Sequence, residues 1–156
     1  MIEENITLKD IYGGNKDWFK KQKKKNDIKD PETYALIGLA MEVYNNIGSG
    51  FLEAVYQEAL EKEFRLIKLP YLREQKLEVD YKGVALDTFY KADYICYDSI
   101  IVELNALSYI TSKEESQVIN YLKVTGLKRA LLLNFGSRSL QYKRFIYGNY
   151  KPETLD

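Results

Sequence analysis

Asp93 and Glu103 are acids placed in runs that are otherwise apolar enough to be buried, so the chemistry open to them depends on whether they meet. Residues 91–107, KADYICYDSIIVELNAL, read as a strand, a tight turn at Asp98-Ser99, and a second β-branched strand over 100–107. Side chains alternate across a strand, so Ile101, Glu103, Asn105 and Leu107 share one face, and Ile100, Val102, Leu104 and Ala106 the other. In the first strand the alternation carries Asp93 and Ile95 on one face. If the hairpin pairs about that turn, Asp93 lies on the neighbouring strand at a height similar to that of Glu103, so both carboxylates and the Asn105 amide could converge.

Carboxylates brought together in an apolar setting repel each other and lose hydration, unless a cation lies between them. Oxygen-only ligands suit Mg²⁺ or Mn²⁺, which bind through one or two carboxylates and keep waters for chemistry on phosphates. The plainer alternative stays open: both acids lie on a solvated sheet face, paired with Lys91 or another lysine.

Composition narrows the classes. Histidine is absent, which removes Ser/His/Asp and Cys/His nucleophiles and every histidine-ligated zinc hydrolase. The single cysteine, Cys96, excludes an internal disulfide and a cysteine zinc cluster, and reads as a small core residue. Lys+Arg and Asp+Glu both total 23, so any site for a polyanion must be local. No signal peptide or membrane span is recognisable, so the expectation is a cytoplasmic protein away from membranes.

The elements that would position the acids follow from the punctuation. Residues 1–30 form a basic extension, with seven lysines against two aspartates over 16–29 beside Trp18 and Phe19. That composition suits either a solvated tail or a phosphate-backbone contact. A domain over 31–150 begins with a helix capped by Asp30, with Pro31 at its first position and an apolar stripe of Leu36, Leu39, Ala40, Val43 and Ile47. Gly48 is expected to end it as a left-handed cap. Gly50 leads into a second helix whose stripe is Leu52, Val55, Tyr56, Ala59, Leu60 and Phe64, with Glu53 at the edge of that face complementing the helix dipole. Pro70 closes the helical region, a strand follows over 71–81, and Lys82-Gly83 turns into the strand carrying Asp93. Thr111 or Ser112, with Glu114 or Glu115 as capping-box partner, starts a third helix that runs to Thr125-Gly126 and puts Gln117 and Tyr121 on one face. Residues 129–135 read as a buried strand reached by a crossover, hence parallel, and 140–147 as an edge strand. The expectation is an α/β (α+β) domain with a mixed central sheet of about five strands flanked by helices.

With GSGFLEAVY at 48–56, DYICYDSIIVELNA at 93–106 and EESQVINYL at 114–122, the chain resembles the GxxExxY family of the PD-(D/E)XK nuclease superfamily. Gly50, Glu53 and Tyr56 match the naming motif, and the resemblance runs from about residue 33 to about residue 145. It implies a nuclease-like core and a site in which Glu53, Asp93, Glu103 and the Leu104 carbonyl hold Mg²⁺ or Mn²⁺, with Gln117 and Tyr121 along the nucleic-acid strand and Glu115 a further contributor. Where the family usually reads ELK, this chain reads Glu103-Leu104-Asn105. Asn105 can hydrogen-bond a water but carries no charge, and loss of one preorganised cation commonly costs about 10²- to 10³-fold in rate. Lys91 and Lys113 are the lysines placed to substitute or to contact nucleic acid. The implied function is a metal-dependent nuclease acting on DNA or RNA. The alternative is an impaired member that binds nucleic acid or a protein partner; fourteen tyrosines and edge strands also suit a homodimer or a partner that completes the site.

Overall fold

The computed structural model describes residues 30–148, so the basic extension, apart from Asp30 at its end, lies outside the described residues. Asp30 caps helix α1, Pro31–Ile47, accepting from the Thr33 N–H at 3.2 Å and the Thr33 hydroxyl at 2.7 Å. The buried face of α1 is broader than the expected stripe, because every residue over 33–40 is enclosed, as is Val43. Gly48 follows with φ +67°, but its ψ of −166° is not left-handed helical, so the expected cap is replaced by a bond from its N–H to the Tyr44 carbonyl.

Helix α2, Glu53–Leu66, buries Tyr56, Gln57, Leu60 and Phe64. Leu52 and Val55, expected in its apolar stripe, are exposed. Leu52 is the extended N-cap, and at about 100° per residue Val55 stands some 140° around the helix from Leu60. The apolar face is therefore narrower than the hydropathy pattern, and it admits one amide, Gln57.

Strands β1, Tyr71–Tyr81, and β2, Val84–Cys96, pair antiparallel around Lys82-Gly83, both at positive φ as a tight hairpin needs. Strand β3, Ile100–Asn105, returns antiparallel to β2. Its turn is centred on Tyr97 and Asp98, which take φ +56° and +55°, one residue earlier than expected, and Ser99 N–H closes it onto the Cys96 carbonyl. β3 also stops at Asn105, short of Leu107.

Helix α3, Ser112–Thr125, starts with a capping box of Thr111 and Glu114 and ends at Gly126 in the left-handed conformation. Strand β4, Arg129–Asn134, lies parallel to β3 with every residue buried, and β5, Gln141–Ile146, forms the edge beside it. The sheet runs β1-β2-β3-β4-β5, a five-stranded mixed sheet with α1 and α2 packed on one face and α3 on the other. This is the expected α+β architecture. Cys96 is enclosed in the α1/α2 layer. At the end of the sheet away from Asn105, buried Arg129 bonds Asp30 at 2.7 Å, Glu32 at 2.8 Å and Ser99 at 2.7 Å, and Arg144 reaches Asp30 at 3.1 Å. Among the described residues no helix is long and apolar enough to cross a membrane.

Candidate active site

The β2–β3 ladder pairs Cys96 with Ile100, Ile95 with Ile101 and Tyr94 with Val102, and goes no further. In that register Asp93 and Glu103 come next, and side chains there take the place of main-chain partners. Asp93 N–H donates to Glu103 Oε1 at 3.0 Å, and Leu104 N–H donates to Asp93 Oδ2 at 2.8 Å. Ala92 packs in the α3 layer and Tyr94 in the α1/α2 layer, so β2 rotates between them and simple alternation fails at Asp93.

The two carboxyls also act on each other, each shifting the ionisation of its neighbour. Burial, then the charge of Asp93, pushes Glu103 well above the ordinary carboxylate range. Burial also raises Asp93, against the pull of the Leu104 N–H. Two unit charges about 4 Å apart repel by roughly 4 kcal/mol at an effective dielectric of 20. The pair is therefore costly when fully ionised.

Glu53 opens α2 and lies within about 20° of the Leu60 and Phe64 directions, so it overhangs the core face where that face runs out. Although exposed, its carboxyl is raised by partial burial and then by Asp93. Tyr56 explains the loop before it: its hydroxyl donates to the Gly48 carbonyl at 2.6 Å and accepts from Phe51 N–H at 3.3 Å, and its ring stacks on Phe135 at 4.5 Å. Gly50 takes φ +106° within this loop, a conformation that favours glycine. The three motif residues thus fix where α2 begins and where Glu53 stands.

From α3, Gln117 Nε2 donates to the Tyr121 hydroxyl at 2.5 Å, and the Tyr121 phenol lies near enough to Glu103 for each to shift the other's ionisation. Burial and then Glu103 raise the Tyr121 phenol, keeping it a donor. Lys91 lies near enough to lower Asp93 and pairs with Glu74 at 3.9 Å. Lys113 and Glu115 are not drawn to the acids: Lys113 is an exposed neighbour of Glu114, and Glu115 pairs with Lys143 on β5. Asn105 is half-buried, and its carbonyl accepts from Phe135 N–H at 2.9 Å.

Two contributors escape the sequence reading. Glu74 faces Asp93 between the Arg73–Tyr94 and Gln75–Ala92 pairs, with φ +52°, and its charge raises Asp93. An acid in a half-exposed strand carries no sequence signal of that kind. Asn134 is fully buried; its Oδ1 accepts from Leu107 N–H at 2.9 Å and Gly136 N–H at 3.2 Å, while its Nδ2 donates to the Leu107 carbonyl at 3.0 Å. Its signal was a lone amide closing an apolar strand just before a glycine.

Among the described residues no three Asp, Glu, His or Cys side chains are gathered closely enough to form a metal-holding group, so Glu53 does not close on Asp93 and Glu103 as expected. The donor set still fits a hard divalent cation: two desolvated carboxyls in contact, a third overhead, and only oxygen ligands.

A search among curated proteins finds no match. Among solved structures, the one titled "Crystal structure of SSO0001" superposes with a TM-score of 0.50 at 13% identity, covering 80% of this chain and 61% of that one. This chain therefore spans about 61% of that protein's length, and the likeness speaks for the fold alone. The model of the PD-(D/E)XK nuclease superfamily matches residues 30–145, which take in both acids, the helix bearing Glu53 and the Gln117–Tyr121 pair, and the chain belongs to that superfamily.

Proposed function

We propose that this protein is a divalent-metal-dependent nuclease of the GxxExxY branch, hydrolysing phosphodiester bonds in DNA or RNA. The observation that carries this is the Asp93–Glu103 contact, a half-buried and a buried carboxyl replacing the β-ladder where β2 and β3 part. Asp93, Glu103 and the Leu104 carbonyl would hold Mg²⁺ or Mn²⁺ with Glu53 above. When bound, such a cation acidifies a water and offsets charge on the scissile phosphate.

The chain's own groups supply the rest. Tyr121, oriented by Gln117, stands beside Glu103 and would donate to its carboxyl. Asn105, on the Glu103 face, offers a neutral hydrogen-bonding group where relatives carry lysine. Lys91, parked on Glu74 across from Asp93, is the cation best placed to meet phosphate. Lys113 stands apart with Glu114 and is left to a peripheral phosphate contact. Asn105 also favours a second reading, an impaired member of the fold that binds nucleic acid or a protein without cutting.

The test is cleavage of labelled single- and double-stranded DNA and RNA in Mg²⁺ and Mn²⁺ by wild type, Asp93→Ala and Asn105→Lys. Cutting by wild type that Asp93→Ala abolishes supports the nuclease. An inert wild type with an active Asn105→Lys supports the impaired reading. Inertness of all three overturns the catalytic proposal.

A further inference from the structure

The hairpin of β1 and β2 carries two lysines in direct opposition. Lys76 pairs with Lys91, the one pair of like charges in the β1–β2 register. Like charges directly opposite destabilise a sheet, and the acids nearby do little to offset this. Lys76 stands 4.0 Å from Glu78 and Lys91 3.9 Å from Glu74, with all four side chains more than half exposed. Leu77, Tyr90 and Ala92 turn to α3, so by alternation Lys76, Phe89 and Lys91 share the opposite face, the side of the sheet on which α2 carries Glu53. On that face the Lys76 ammonium lies 4.6 Å from the centroid of the Phe89 ring, a large apolar group left 47% exposed. The track ends at the acids. Lys91 comes two residues before Asp93, near enough for its charge to lower that carboxyl, and Phe89 comes four before it, about 13 Å along an extended strand.

We propose that Lys76, Phe89 and Lys91 form a binding track for single-stranded nucleic acid leading to the acids, with Phe89 stacking on a base and the two lysines meeting the phosphates beside it. This rests on the nuclease reading above and adds to it the strandedness of the substrate. A ring can lie on a base only where that base is out of a duplex, and such stacking tolerates any base. A phosphate between Lys76 and Lys91 replaces their repulsion with attraction to both. Each lysine can turn to it at little cost, because its present ion pair is long and exposed. Two opposed cations beside an open ring suit a chain with regularly spaced negative charge better than a protein surface, which has none.

The test is fluorescence anisotropy of the full chain with labelled oligothymidylate, oligouridylate and a DNA duplex, in chelator and in Ca²⁺, for wild type, Phe89→Ala, Phe89→Trp, Lys76→Gln and Lys91→Gln. All three side chains are exposed, so the variants are expected to melt with wild type. Single strands should bind more tightly than the duplex. Phe89→Ala should weaken single-strand binding about fivefold or more, the least that loss of one aromatic stack costs, and leave the duplex unchanged, while Phe89→Trp keeps wild-type affinity. Each lysine variant should lower the slope of log affinity against log salt by about 0.7 on a single strand. Unchanged single-strand affinity in Phe89→Ala, or a loss shared equally by the duplex, overturns the track; cleavage that Asp93→Ala abolishes would then leave the nuclease reading standing. A wild type that binds no nucleic acid overturns the track and that reading together, and leaves the face to a protein partner.

Discussion

Taking one charge out of the Asp93–Glu103 contact should stabilise the metal-free protein. Asp93→Asn keeps an oxygen for the Leu104 N–H while ending the repulsion, so unfolding in chelator at neutral pH is expected to become harder by about 1 to 3 kcal/mol. Both carboxyls are raised in the folded state, so above the ordinary carboxylate range the native protein holds more protons than the unfolded chain. Stability then falls as pH rises from about 4.5, the ordinary value for Glu103, through neutrality, and the penalty is absent below that value. Urea denaturation of wild type and Asp93→Asn at pH 5 and pH 7.5 checks this, with the advantage of the variant shrinking at the lower pH. Saturating Mn²⁺ should reverse the ranking, because it binds only the native site that wild type retains.

At the scale of elements, the segment after β3 is set by β4. Asn134 clasps both polar groups of the Leu107 backbone, and a Cβ placed on Gly136 would meet the Leu107 carbonyl oxygen at 2.3 Å. Gly136→Ala is therefore expected to push residues 105–107 away from β4, costing about 1 to 3 kcal/mol and lowering any cleavage rate together with Mn²⁺ affinity. Calorimetric melting alongside Mn²⁺ titration measures both. The elements themselves were legible in advance. The caps at Asp30 and Thr111, the bounds of β1 and the Lys82-Gly83 turn all rest on local chemistry within a few residues, and they stand as expected. What escaped depends on partners distant in sequence. Leu52 and Val55 are apolar, yet the sheet meets α2 from another side, so Gln57 is enclosed in their place. Nearness of Asp93 and Glu103 was legible from the hairpin, but counting about Asp98-Ser99 would set Tyr94 opposite Glu103, and the register that brings Asp93 next to it comes from a turn one residue earlier; the left-handed Glu74 opposite Asp93 likewise reflects a rotation that no periodicity records.

Across the whole molecule, Arg129 ties the start of α1, the β2–β3 turn and β4 into one buried ionic knot. Removing it would leave the largely enclosed Asp30 with only Arg144 as an ion-pair partner among the described residues. Arg129→Met is expected to cost about 3 to 5 kcal/mol in urea denaturation, whereas Arg144→Met, at the exposed rim, should cost under about 1 kcal/mol. The knot and the acids sit at opposite ends of β3, so stability and chemistry can be altered separately. Strand β2 has a divided situation of its own. Over 94–96 it has β1 on one side and β3 on the other, while over 84–92 β1 is its only strand neighbour among the described residues. Its amides should accordingly exchange with heavy water at two rates, slow over 94–96 and fast toward Val84, with the step at Asp93. A cation gripped by Asp93 and Glu103 would bridge that step, and amides just beyond it, near Ala92, should then exchange with the slow group. Deuterium uptake with and without Mn²⁺ would show whether loading the site stiffens the hairpin that projects past it.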